Sequence, residues 1–223
     1  MASLSVVKAS GAGTGVLLSA CVAEHGSLTH PYFAGRALSE GAEALRNLAD
    51  AIHFLGALHG RHPGVVDHAA GRTADPAARM WLFAAGEALI AERRFLSRLA
   101  VAAGPVPSTP GGSASETAVN GQRSALATLA QSDRKGCALG AAFAFALDWA
   151  PLRPILDDAA TRLGVDIPPC ELGTSREIED AANHAGTDAS VERAMLFGAQ
   201  QLALQHRGLW DLLEARAQAR GST

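Results

Sequence analysis

Along most of the chain the apolar residues return every third or fourth position, the spacing that gathers one face of an α-helix. Nowhere do they alternate convincingly in the period of two that a half-buried strand needs. The first clear stripe is Leu38, Leu45, Leu48, Ile52, Leu55 and His59, and it predicts a helix from Leu38 that stops at Gly60 and Pro63. A second helix opens at Asp75-Pro76, an N-cap followed by proline at the first helical position. It runs toward Ala103 with Leu82, Ala85, Leu89, Leu96 and Leu99 facing inward. The loop GPVPSTPGGS, Gly104 to Ser113, cannot continue a helix, and Ser113-Ala-Ser-Glu116 reads as a capping box that starts the third. A last long helix is predicted from Ser190 to Ala219, with Met195, Ala199, Leu202, His206, Leu209 and Leu213 in one stripe. Shorter helices are expected over Gly15 to Glu24, from the prolines at 151 and 154 to Leu163, and after a capping box at Thr174 to Glu177.

The pattern predicts an all-α fold, a helical bundle of four long helices plus several short ones. Residues 1–36, which mix Gly and Ser with a Thr29-His30-Pro31 turn, are expected to form an N-terminal arm packed on a single bundle domain of residues 37–223. One stretch leaves the helical pattern open. In LAQSDRKGCALGAAFAFALDW, Leu129 to Trp149, four polar residues from Ser132 to Lys135 interrupt a run of small and apolar ones. A continuous helix would turn Asp133 toward the core; a break at Ser132 would let Ser132 or Asp133 cap a new helix from Arg134 to Trp149. The segment GCALGAAFAFAL is apolar nearly all round, which places it centrally in either case.

Composition narrows the classes. With 223 residues, 48% apolar and 18% charged, the chain can bury a large core. A formal net charge of −3 and the lack of a basic stripe argue against a nucleic-acid partner, and no run reaches the ~18 apolar residues of a membrane helix. Cys21, Cys137 and Cys170 are odd in number and share no CxxC spacing, so neither a disulfide framework nor a cysteine zinc site is expected, and a cytoplasmic location fits. The alternative rests on Leu18-Ser-Ala-Cys21, which has the look of a lipoprotein processing site with a lipid anchor on Cys21, although the apolar stretch before it is short.

Candidate chemistry is sparse. The Glu-x-x-His pairs that build dinuclear iron centres in bundles are missing, and Asp50-Ala-Ile-His53 projects away from its helix's leucine stripe. His59, Glu92 and His206 occupy inward positions on three helices, where two imidazoles and a carboxylate could hold one transition metal or simply bond to one another. The cluster HGRHPGVVDH, His59 to His68, fits helix termination better than metal binding, and Asp180 to His184 and Glu87 read as solvated faces. No GxSxG is present, Cys137 reads as a packed core thiol, and Gly11 to Gly15 lacks the lysine of a phosphate loop. A second candidate group is Glu92, Arg93, Gln122, Arg123, Asp133 and Arg134, in which Asp133 and Arg134 would pair with Glu92 or Arg93 across the bundle and form a ligand-binding site, or only a joint between helices.

The stretches AERRFLSRL, GPVPSTPG and AQSDRKGCALGAAFAFALDW together resemble a family of uncharacterised bacterial proteins, over roughly Ala37 to Gly164. The helical layout is similar, diffusely, to ferritin-like bundles; without the iron-ligand motif only the fold is implied, and fold alone does not fix function. The expected function is non-catalytic binding of a small ligand or protein partner, with a homodimer through the alanine-rich helices, and the alternative is a metal-binding or metal-dependent protein built on His59, Glu92 and His206.

Overall fold

A computed structural model describes residues 12–221, and these contain nine α-helices and no strand. They are α1 (Thr14–His25), α2 (Pro31–Ala34), α3 (Ala44–His59), α4 (Val65–Arg72), α5 (Pro76–Ala103), α6 (Gly112–Ala130), α7 (Cys137–Leu163), α8 (Ser175–Ala185) and α9 (Ala189–Gly221), with one 3-10 turn at Ser27–Thr29. The fold is all-α. Five of these helices, rather than the four expected, have sixteen residues or more. The Gly11–Gly15 stretch lies partly outside the described residues.

Where start signal and stripe agree, the helix follows them. Asp75 accepts a hydrogen bond from the Ala78 amide at 2.8 Å, Pro76 is the first helical residue, and Leu82, Ala85, Leu89, Leu96 and Leu99 are all buried. The predicted stripe of α9, His206 included, is no more than 1% exposed at any position. The box at Thr174 forms, with Glu177 accepting from the Thr174 amide at 2.7 Å.

Three expectations are corrected, and the open question at Ser132 is closed. The first helix begins at Ala44 and not Leu38, because Gly41, at φ +90°, interrupts the chain; Leu38 is buried in the preceding turn while Leu45 is 60% exposed. The Ser113 box does not form, because the helix opens two residues earlier, with Gly111 as its N-cap, left-handed at φ +75°. The segment from Ser132 to Lys135 is a break: α6 ends at Ala130 and α7 starts only at Cys137, with Gly136 at φ +93°. The prolines at 151 and 154 do not begin a helix, since α7 continues through both. An interior proline costs about 3 kcal/mol in isolation. Here the buried Asp148, Trp149, Leu152, Arg153 and Leu156 hold the helix on its other side, and the prolines fall toward solvent beside the exposed Ala150. The chain also makes a helix with no expected counterpart, α4, whose first turn is capped by Asp67 accepting from the Gly64 amide at 2.7 Å.

The core is organised around α7. From Cys137 to Trp149 every residue except Leu147 is buried, and α7 packs against α1, α4, α5, α6, α8 and α9. Its seam with α9 is at backbone contact: a Cβ on Gly140 would lie 1.9 Å from the Met195 carbonyl oxygen, and one on Gly198 2.0 Å from that of Cys137. Eight residues further along each helix stand Asp148 and His206, so the two helices run parallel and the glycine seam sets the distance between these side chains. The N-terminal helix α1 packs on α8 and α9, with Leu18 fully buried and Cys21 half-buried against the core. Among the described residues α7 alone is long and apolar enough to cross a membrane, and 72% of its apolar window is buried inside the protein.

Candidate functional site

A buried row of polar groups crosses the middle of the fold. Asp148 on α7 accepts from the Ser27 amide (2.8 Å) and the Ser27 hydroxyl (2.6 Å), and its Oδ2 lies 2.6 Å from His206 Nδ1 on α9. His206 Nε2 lies 2.9 Å from Nε2 of His59, the last residue of α3. Trp210 donates to the Ser27 hydroxyl at 2.8 Å and closes the far end. Burial works to raise the Asp148 carboxyl, but the His206 contact and the two bonds from Ser27 outweigh it and hold it below the ordinary carboxylate value. An ionised Asp148 only accepts, so Nδ1 of His206 carries a hydrogen. His59 is wedged edge-on against Phe145, at 4.9 Å between centroids, and Trp149, at 6.1 Å. Burial first, then His206 and Arg93, push its imidazole well below the usual 6.5.

His59 also lines a cavity of about 270 Å³ enclosed by α3, α4, α5, α6 and α7. The apolar part of the wall is Leu58, Val66, Leu89, Leu126 and Phe145; the polar part holds Arg61, Arg93, Arg123, His62 and His68. Asp67 fixes Arg93 at the rim by a 2.5 Å ion pair. Burial opposes ionisation of Asp67, but the Gly64 amide and Arg93 prevail and lower its carboxyl.

The expected site residues separate into groups. His59 and His206 do come together, but they meet nitrogen to nitrogen. Glu92, 1% exposed, does not join them: Trp149 donates to its Oε2 at 2.8 Å and Arg153 to its Oε1 at 2.6 Å. Among the described residues no group of three or more His, Cys, Asp or Glu is placed to hold a metal ion. Arg93 and Arg123 share the cavity wall with His59. Gln122 turns to the Gln205 carbonyl at 3.3 Å. The expected pairing of Asp133 and Arg134 with Glu92 or Arg93 is not what the chain does, because the break after Ala130 leaves both on the surface. Asp133 there meets Arg72 at 3.0 Å, and Arg134 sits over the Phe197 ring at 5.2 Å. Glu87, Asp180 and His184 are exposed and Cys137 is buried, as expected.

Sequence reasoning missed Asp148, whose signal was a lone acid in a helix otherwise apolar all round. It also missed Asp67, Arg153 and the Asp50 cluster. Asp50, expected to project away from the core, is fully buried against Arg216 and Arg220.

The low basicity of His59 fixes the sign of one pH effect. The unfolded chain takes a proton on His59 below about pH 6.5 while the folded chain does not, so stability falls with acidification from there down to the folded value. The charged and titratable groups around His59 are Arg93 on α5, Arg123 on α6, Arg61 and His62 in the turn before α4, His68 on α4, His206 on α9 and, behind it, Asp148 on α7. Urea unfolding at pH 7.5 and pH 5.5 is expected to show a slope from this group approaching ~1.4 kcal/mol per pH unit, which His59→Gln removes. Equal pH slopes for the two proteins would refute the assignment.

Neither curated proteins nor solved structures give a significant match to the chain. A family model does match over residues 22–221, from the end of α1 through α9, well beyond the Ala37 to Gly164 region of the expected resemblance. By that match the chain belongs to DUF6975, a family of unknown function.

Proposed function

We propose that the protein binds a small organic anion, acidic at one end and apolar along its body, in the cavity between α3, α4, α5, α6 and α7. The observation that carries this reading is the make-up of the wall: Arg61, Arg93 and Arg123 meet there and, among the described residues, no carboxylate lines it, Asp67 pairing with Arg93 from behind the rim, in a chain whose net charge is −3. A concavity lined by one sign of charge against low-dielectric walls concentrates ions of the other sign. Guanidinium groups also match carboxylate and phosphate oxygens in a two-pronged geometry. Arg93 is pre-positioned at the rim by its ion pair with Asp67. At about 270 Å³ the space is smaller than the ~300–1,000 Å³ of drug-sized sites, which suits a small metabolite.

Titration calorimetry with benzoate and phenylphosphate, and with benzyl alcohol as the neutral counterpart, tests this. The two anions are expected to bind with Kd between about 1 μM and 1 mM and the alcohol not measurably. Arg123→Ala is expected to weaken both anions roughly tenfold or more, about 1.4 kcal/mol, while Arg94→Ala, at an exposed neighbouring position, leaves them unchanged. Benzyl alcohol binding as tightly as benzoate, or an unaltered affinity in Arg123→Ala, would overturn the reading.

A further inference from the structure

The cavity wall holds one functional group wired into the core. From His59 a row of bonds runs inward through His206 to Asp148 and ends on the Ser27 amide and hydroxyl. A satisfied core histidine needs only a partner, and His206 would have that in Asp148 alone. The second imidazole extends the row to the cavity. His59 Nδ1, at its outer end, bonds to no described residue, and its side chain is the one that reaches the cavity.

The row has two proton states on the same heavy atoms. In the first, His206 carries its hydrogen on Nδ1 toward Asp148, its Nε2 accepts from the Nε2–H of His59, and Nδ1 of His59 is a free lone pair. In the second, a proton has arrived on His59 Nδ1 and the Nε2 proton has crossed the 2.9 Å gap to His206, which is then an imidazolium held against the Asp148 carboxylate. No heavy atom has to move between them. The charge is delivered to a buried, already paired site and not left at the cavity.

We propose that His59, backed by His206 and Asp148, is a general base that removes a proton from a carbon acid bound in the anion site and returns it, so that the protein tautomerises a small 2-oxo carboxylate or a close analogue. This rests on the anion-binding reading and deepens it. In the forward step the substrate C–H bond breaks, its electron pair stays on the substrate as an enolate, an N–H bond forms at His59 Nδ1, and the Nε2 proton passes to His206. Return of the proton to the enolate oxygen completes the keto–enol exchange with nothing consumed. The developing negative charge lies in a cavity that Arg93 and Arg123 share with His59, where fixed donors stabilise it. His59 is the catalytic residue; His206 and Asp148 position it and receive the charge.

Phenylpyruvate supplies the carboxylate, the apolar ring and an acidic C–H. Its methylene hydrogens exchange with D2O at a rate read by proton NMR, and broadening of its ring signals reports binding separately. The native protein is expected to accelerate exchange about a hundredfold or more over buffer. His59→Gln is expected to return exchange to the buffer rate with ring broadening intact. Asp148→Asn is expected to slow exchange roughly tenfold or more at unchanged binding and to abolish the downfield signal of the His206 Nδ1 proton. Bound phenylpyruvate exchanging at the buffer rate, or as fast with His59→Gln as with the native protein, would overturn the proposal. If phenylpyruvate does not bind, the anion-binding reading has failed, and the nitrogen-15 spectrum of the native histidines decides the relay by itself. Hydrogens on His206 Nδ1 and His59 Nε2 at pH 7 support it; the opposite tautomers overturn it.

Discussion

Gly140→Ala is expected to cost the fold about 3 kcal/mol, the upper end of what overpacking a tight core does. The added methyl would lie 1.9 Å from the carbonyl oxygen of Met195 and 2.5 Å from its Cα, and backbone, unlike a side chain, has no other rotamer to adopt. Relief requires α7 and α9 to move apart along the most extensive helix contact among the described residues. That separation also reaches the site, because Asp148 and His206 lie eight residues beyond Gly140 and Gly198 on the same two helices and are joined at 2.6 Å. Glycine is a poor helix residue, less favourable than alanine by about 1 kcal/mol, so its presence here is explained by the contact and not by propensity. Gly121 of α6 makes the comparison: nothing lies within 4 Å of its Cβ position, and Gly121→Ala is expected to stabilise by about 0.5–1 kcal/mol. In thermal melts the two variants are expected to move in opposite directions, Gly140→Ala downward by roughly 6–12 °C. A Gly140→Ala protein that melts with the native one would show that the seam is looser than its geometry.

The same contrast between local signal and tertiary contact decides how much of the structure was legible beforehand. Helix α5 announces itself, since Asp75-Pro76 supplies cap and first-turn proline and its leucines keep the helical period to the end. Helix α9 is legible for the second reason, and its stripe carries His206 into the core with it. Helix α7 is not, because Pro151 and Pro154 are local stop signals and only burial on the opposite face overrides them. The Ser113 box fails in the opposite way: its side chains are right, but Gly111 takes the left-handed turn first, a choice made by the loop's path and invisible in spacing.

The site was half legible for related reasons. His59, Glu92 and His206 were recognisable as polar residues in apolar stripes, which is a one-dimensional observation. Which of them face one another depends on how three helices cross. Their crossing gives Glu92 to Trp149 and Arg153, and His206 to His59 and Asp148. Arg93 and Arg123 were expected to share a site, and they do share a cavity, but with His59 in place of Asp133 and Arg134. The break between α6 and α7 sends those two outward, and nothing in their own residue types distinguishes the outcomes.

Asp50→Ala is expected to destabilise by about 3–5 kcal/mol, because it leaves the buried Arg216 without its counter-charge and Arg220 with only Glu43, at 3.5 Å. Asp50 is fully buried on α3. Its Oδ1 accepts from Arg216 at 2.8 Å, and its Oδ2 from Arg216 at 3.0 Å and from Arg220 at 2.5 Å. Both arginines belong to α9 and also hold the Thr109 hydroxyl, which fastens the Pro/Gly loop before α6. With the carboxylate gone, Arg216 keeps only neutral partners, the Pro107 carbonyl and the Thr109 hydroxyl, while Arg220 retains the partly exposed Glu43. Asp50→Asn keeps the shape and some of the hydrogen bonds, so its loss is expected to be smaller. Adding Arg216→Met to Asp50→Ala is expected to recover part of the stability, and a double-mutant cycle in urea measures the coupling. Additive losses from the two sites would mean that the charges are not paired in solution. The consequence for the site follows from the geometry of the two helices. Going from Asp50 to His59 on α3 is nine residues up, and from Arg216 to His206 on α9 is ten residues down, so the ion cluster and the histidine pair pin the same antiparallel helices about 14 Å apart. An α3 released at Asp50 therefore keeps the histidine pair as the polar link between its C-terminal half and α9. The Asp50→Ala protein is expected to lose the defined His59 and His206 tautomer signals at temperatures where the native protein keeps them.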